Sequence, residues 1–180
     1  MPSVNILLEQ ILAASGGAGS GFTKTYWFDA NDTATDASPI VHIGGAADTY
    51  LTNDALGGST NAYNPDSKDV LWNPVTNKFD FTSLKIGDIV DFRLDLTFDN
   101  AAAQEIDLFI SIGEGQADPY EKPLDHVYNK TAGTNTPVTA PFKMYIGDAR
   151  TRDGGCRFRL ASPVGTSIKV IGWFYQITEV

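Results

Sequence analysis

Cysteine is nearly absent from this chain of 180 residues: Cys156 stands alone. No intrachain disulfide can form and no cysteine-based zinc site can be assembled, so stability must come from packing. The count fits synthesis in a reducing cytoplasm, even for a particle that later works outside the cell. Histidine is as scarce, with only His42 and His126. Neither lies in a two-histidine metal spacing such as HExxH, and no nucleophile-elbow pattern supports a serine triad. Positive charge is short too: 13 Lys and Arg stand against 22 Asp and Glu, for a formal charge of −9. That sign opposes a nucleic-acid backbone and an anionic membrane surface, so neither is an expected partner. Long apolar runs are missing. The first one, VNILLEQILAA, carries Asn5, Glu9 and Gln10 and has no basic segment ahead of it, which argues against a signal peptide and a membrane span.

What the chain has in quantity is turn formers. Seventeen Gly and nine Pro, with many Asn, Asp, Ser and Thr, break it into short segments, while a 42 % hydrophobic content supplies one substantial core. This pattern predicts an all-β protein of a single main domain over residues 22–180, preceded by a separate segment, 1–21. In that segment Val4, Leu7, Leu8, Ile11 and Leu12 fall at helical spacing behind Ser3 as N-cap, and the Gly/Ser-rich stretch 15–21 follows as a flexible spacer. A helix of about ten residues is marginal alone in water. It is expected to dock, as an attachment device on a larger assembly, on copies of itself, or simply against its own domain.

From Phe22 onward the segments read as strands: TKTYWFDA, PIVHIGG, the alternating IVDFRLDLTF, EIDLFISI, PFKMYIGD, CRFRLAS and SIKVIGWFYQITEV. Two long loops are expected, 46–76 pinned by Leu71 and Trp72, and 113–141 with a short strand near His126. Seven to nine strands in this order predict an antiparallel β-sandwich of jelly-roll type. In the last strand, strict alternation places Ile168, Val170, Gly172 and Phe174 on one face and Ile171, Trp173, Tyr175 and Ile177 on the other. A strand apolar on both faces needs a second cover, so Ile171, Trp173, Tyr175 and Ile177 are candidate subunit-interface residues, with a long loop of the same chain as the other possible cover.

Catalytic constellations are hard to find. Asp91 and Asp95 share a strand face but stand roughly 13 Å apart at about 3.3 Å per residue, with Arg93 between them. A salt-bridged wet face explains them better than paired-carboxylate chemistry. The acidic run DANDTATD lacks the Gly and Glu of an EF-hand loop, and GEGQAD does not open a helix as a phosphate loop would. His42 reads as a strand residue, His126 as a surface one, and Cys156, in GGCRFRL, as a small buried or half-buried thiol. No cofactor, metal or enzymatic activity is expected. Aromatic residues in or beside loops, Trp27, Trp72, Tyr63, Tyr120 and Tyr128, are either loop anchors or platforms for stacking on sugar rings.

Four segments carry a resemblance: LTNDALGGSTNAY, VLWNPVTNKFDFTSLKIGDIVDFRLDL, IGDARTRDGGCRFRLASP and VIGWFYQITEV. In order and character, over roughly residues 50 to 180, they resemble a group of small virion proteins of tailed bacteriophages whose jelly-roll domain is similar to tumour necrosis factor and forms a trimer. The resemblance implies a homotrimer located in the virion and made in the host cytoplasm. Its partners would be the major capsid protein or another virion protein, as a capsid decoration, or a host glycan, as a receptor-binding tip stacking on Tyr63, Trp72, Tyr120 and Tyr128. It implies no catalytic residues.

Overall fold

The computed structural model describes residues 24–45, 48–64, 66–129 and 132–180. The expected helix through Val4, Leu7, Leu8, Ile11 and Leu12 and the spacer after it lie outside the described residues.

The strands are β1 (Lys24–Asn31), β2 (Ile40–His42), β3 (Thr49–Tyr50), β4 (Ser59–Tyr63), β5 (Trp72–Asn73), β6 (Lys78–Phe79), β7 (Ile89–Asn100), β8 (Gln104–Ile112), β9 (Tyr120–Asn129), β10 (Gly133–Tyr145), β11 (Cys156–Ala161) and β12 (Thr166–Glu179). Two short helices, α1 (Ala34–Ala37) and α2 (Ala149–Gly154), sit in connections. All pairings are antiparallel. One sheet runs β10-β7-β12-β1-β4 with β2 also on β12, and the other runs β5-β6-β11-β8-β9 with β3 also on β11. Following the chain through β1, β6, β7, β8, β9, β10, β11 and β12, every step crosses between sheets except the β8–β9 hairpin. That path is a jelly roll, as the strand count and order predict.

The alternation in β7 builds the wall it promised. Val90, Phe92, Leu94, Leu96 and Phe98 are all buried, while Asp91, Arg93, Asp95 and Thr97 face outward. Between the sheets lies an aromatic cluster centred on Phe79, whose ring meets Trp72 at 4.8 Å, Phe92 at 5.0 Å, Tyr175 at 5.3 Å and Phe158 at 5.5 Å, mostly edge to face. Leu71 and Trp72 pin their segment as expected: Leu71 N–H donates to the Tyr175 hydroxyl and Trp72 Nε1 donates to the Asn53 carbonyl.

Strand β12 departs from strict alternation. Its pairing with β7 shifts between Val170 and Gly172, which face Leu96 and Asp95, leaving Ile171 as the extra residue of a bulge. The bulge reverses the phase of the strand. Before it Ile168 and Val170 point into the core; after it Trp173, Tyr175 and Ile177 do, at 1 %, 0 % and 1 % exposure. The expectation that Trp173, Tyr175 and Ile177 form a subunit interface is therefore corrected, because they line the same core as Ile168 and Val170, while Ile171 and half-buried Phe174 remain on the outer face. Gly172 makes the bulge possible, since a Cβ there would stand 2.9 Å from the Ala30 carbonyl of neighbouring β1.

The two expected long loops are also shorter than the spacing suggested. Segment 46–76 contains β3, β4 and β5, and segment 113–141 contains β9 and much of β10. Both β9 and β10 are sheet edges carrying proline, Pro123, Pro137 and Pro141, where a missing N–H costs no ladder bond.

The bulge yields a direct test. At concentrations where the chain is monomeric, Trp173→Ala should cost about 3–5 kcal/mol of unfolding free energy in urea titrations, whereas Ile171→Ser should stay within about 0.5 kcal/mol. Comparable losses at the two positions would contradict the phase reversal.

Candidate functional site

The polar residues singled out in the sequence resolve into local structure. On the outer face of β7, Arg93 Nε donates to Asp95 at 3.0 Å, Thr139 on β10 donates to Asp95 at 2.9 Å, and Lys143 on β10 lies 3.2 Å from Asp91. Arg93 also covers the Phe174 ring at 5.2 Å. This is the salt-bridged wet face expected from the interleaved cation.

The acidic run after β1 serves its own turn. Asp32 accepts from Thr35 N at 2.7 Å and from Asp54 N at 2.7 Å, while Asp54 accepts from Thr33 N and Leu56 N, each at 2.9 Å. Burial pushes the Asp54 carboxyl upward, but the hydrogen bonds from Leu56 and Thr33 outweigh it and hold the group down to about 2. Among the described residues no group of three His, Cys, Asp or Glu is placed to hold a metal ion.

His42 is buried in β2, its two ring nitrogens within 2.9 Å of Thr49 Oγ1 and 3.2 Å of the Ser162 carbonyl. Burial pushes the Cys156 thiol far above its ordinary value, so it stays protonated and inert. His126 is exposed on β9 beside Asp107 and Glu105 of β8. The hydrogen bond with Asp107, reinforced by both carboxylates, lifts its pKa above the ordinary 6.5 against the opposing effect of desolvation.

The four expected stacking residues do not converge. Trp72 is 4 % exposed and belongs to the core, so it is corrected from ligand platform to anchor. Tyr63 is exposed on β4 and packs 6.1 Å from exposed Trp27 on β1. Tyr120 lies on β9, and β4 and β9 are edges on opposite sides of the sandwich. Of Tyr128 the structure gives only its backbone pairing with Glu105.

Large exposed hydrophobic side chains are spread along one sheet, from Val41 beside Ser167 to Trp27 beside Gln176 of β12. Trp27 on β1, Val41 on β2, Tyr63 on β4 and Ile171 on β12 are large and exposed, with half-buried Phe174 between them. Among the described residues, no strand of the β5-β6-β11-β8-β9 sheet contributes a large exposed hydrophobic side chain. Its outer face carries charge, including Arg159 paired with Asp48 and Glu121, as the β7–β10 part of the first sheet does. Sequence reasoning missed this asymmetry because it depends on which face of β12 turns outward.

No family model and no curated protein matches the chain. Solved structures give only distant likenesses. Eiger TNF from S. frugiperda is 8 % identical, with 88 % of this chain and 92 % of that one covered at a TM-score of 0.41. The Gx strain of infectious bursal disease virus is 10 % identical, with 88 % of this chain and 33 % of that one covered at 0.38. The CBM22-1–GH10 modules of Clostridium thermocellum xylanase 10B are 10 % identical, with 56 % and 18 % covered at 0.36. The chain thus spans about a fifth of that xylanase chain and a third of the viral one. At these values the jelly-roll assignment rests on the strand path itself.

Because the folded pKa of His126 is raised, its ion pair contributes fully below the ordinary 6.5 and is lost as pH rises through the raised value. An NMR titration should place His126 above 6.5, and Asp107→Asn should move it back toward 6.5. A wild-type value at or below 6.5 would contradict the geometry.

Proposed function

We propose that this chain is a non-enzymatic structural protein of a bacteriophage particle: a homotrimeric jelly roll that decorates the capsid, fixed to the major capsid protein or another virion protein through segment 1–21. The single observation that carries self-association is the asymmetry of the two outer faces. Exposed aromatic and branched side chains on β1, β2, β4 and β12 of the first sheet, beside the ion-paired β7 and β10 of that same face and without counterpart on the strands of the second among the described residues, suit burial against another subunit better than contact with water. The candidate interface accordingly moves from Trp173, Tyr175 and Ile177 to Trp27, Val41, Tyr63, Ile171 and Phe174. The order and character of the segments across residues 50 to 180 support the phage setting. A net charge of −9 keeps such a decoration soluble at the high local concentration of a particle surface.

Sedimentation velocity at micromolar concentration should give three times the 19.4 kDa chain mass. Trp27→Glu combined with Ile171→Glu should give a monomer with an unchanged far-ultraviolet spectrum. A wild-type monomer throughout would overturn the trimer. Deletion of residues 1–21 should prevent incorporation into particles while leaving the domain folded, and unchanged incorporation would refute the anchor.

A further inference from the structure

The two free edges of the sandwich, β9 and β10, do not close on each other. Between them, capped at one end by the turn into α2, lies a cleft of about 790 Å³. That volume falls in the range of roughly 300–1,000 Å³ typical of small-molecule sites. Its lining combines Tyr120 and Lys122 of β9, Lys143 and Tyr145 of β10, and Asp148 and Arg150 at the start of α2. Three cations against one carboxylate make it a positive spot on a chain whose formal charge is −9.

The internal pairings leave part of that charge unspent. Lys143 is paired with Asp91 at 3.2 Å. Asp148 is occupied as the cap of α2, accepting from Thr151 N at 2.7 Å and facing Arg150 Nη2 at 3.4 Å. Arg150 stacks on the Tyr120 ring at 4.9 Å, its Nη1 donates to the Asp118 carbonyl, and its buried Nε has no partner among the described residues. Lys122 lies over the same ring at 5.9 Å and has no carboxylate within ion-pair distance among the described residues. Across the cleft Tyr145 is 68 % exposed. Its ring rests on the backbone at Gly147, where a Cβ would come within 2.9 Å of Cε2. The glycine therefore seats the ring.

We propose that this cleft binds a sugar bearing a carboxylate, of the uronic or sialic acid class. Lys122 and the rim of Arg150 supply charge-assisted hydrogen bonds to one carboxylate, and the uncommitted charge matches a monoanion. The Tyr145 face takes the C–H side of a pyranose ring, whose polarised hydrogens meet the negative face of the aromatic ring. The Tyr120 hydroxyl, held only by a long 3.4 Å contact with Thr151 Oγ1, is available to a ring hydroxyl. The site does not depend on the oligomeric state: a monomer that binds the sugar keeps it, and a trimer that does not loses it.

Saturation-transfer difference NMR on the full chain tests this with N-acetylneuraminic acid and glucuronic acid, against galactose, glucose, acetate and inorganic phosphate. The acidic sugars should bind in the millimolar range and the others at least roughly tenfold more weakly, the scale of one lost charge-assisted hydrogen bond. Lys122→Ala and Tyr145→Ala, both at exposed positions, should each weaken binding roughly tenfold with the fold intact, and Lys122→Arg should retain it. Absence of binding by either acidic sugar, equal binding of neutral sugars or of simple anions, or indifference to both alanine variants would each overturn the proposal.

Discussion

The extra residue at Ile171 holds the two halves of β12 to a single core. The strand lies in the middle of its sheet, between β7 and β1, and its fourteen residues run the length of the sandwich. Without the bulge, a strand that places Ile168 and Val170 inward would turn Trp173, Tyr175 and Ile177 to solvent and remove Trp173 and Tyr175 from the aromatic cluster around Phe79. With it, both sets fill one interior, and the strand's outer face is left to Lys169, Ile171, Phe174 and Gln176. The backbone at Gly172 tolerates the close approach of β1 that this geometry requires.

Everything proposed about function follows from which faces and edges are left over. The inward sides of both sheets are consumed by the core, and the outer face of the second sheet is taken up by ion pairs such as Arg159 with Asp48. What remains is the part of the first sheet's outer face that carries Trp27, Val41, Tyr63 and Ile171, beside the ion-paired β7 and β10, and an open gap where the β9 and β10 edges part. The first suits a broad, flat contact between subunits; the second, concave, cationic and lined by tyrosines, suits a small ligand. The prolines on β9 and β10 remove donors from these edges, which disfavours pairing with a further strand.

Much of this was legible in the sequence. The alternation of β7, the strand position of His42, the buried or half-buried place of Cys156, the anchoring by Leu71 and Trp72 and the jelly-roll class all follow from period, turn chemistry and strand order. The phase of β12 did not, although its signal was present: a glycine inside an apolar strand, in VIGWFY, marks a bulge as readily as a doubly covered strand. The strands in 120–145 were hidden by Pro123, Pro137 and Pro141, which read as loop until the strands are known to be edges. The cleft was hidden more deeply. Lys122, Tyr145 and Arg150 lie on three elements that meet only because both sheets end on the same side, and no spacing along the chain encodes that meeting.

The central claim is that the outer face of the first sheet is covered when copies of the chain associate, and Trp27 reports on it. Trp72 and Trp173 are buried in the core, so the fluorescence that acrylamide can quench, defined as what a Trp27→Phe variant lacks, comes from that face. Covered by another subunit, Trp27 should be poorly quenched at micromolar concentration and become readily quenched on dilution into the dissociated range. Ready quenching of Trp27 at every concentration would contradict the claim.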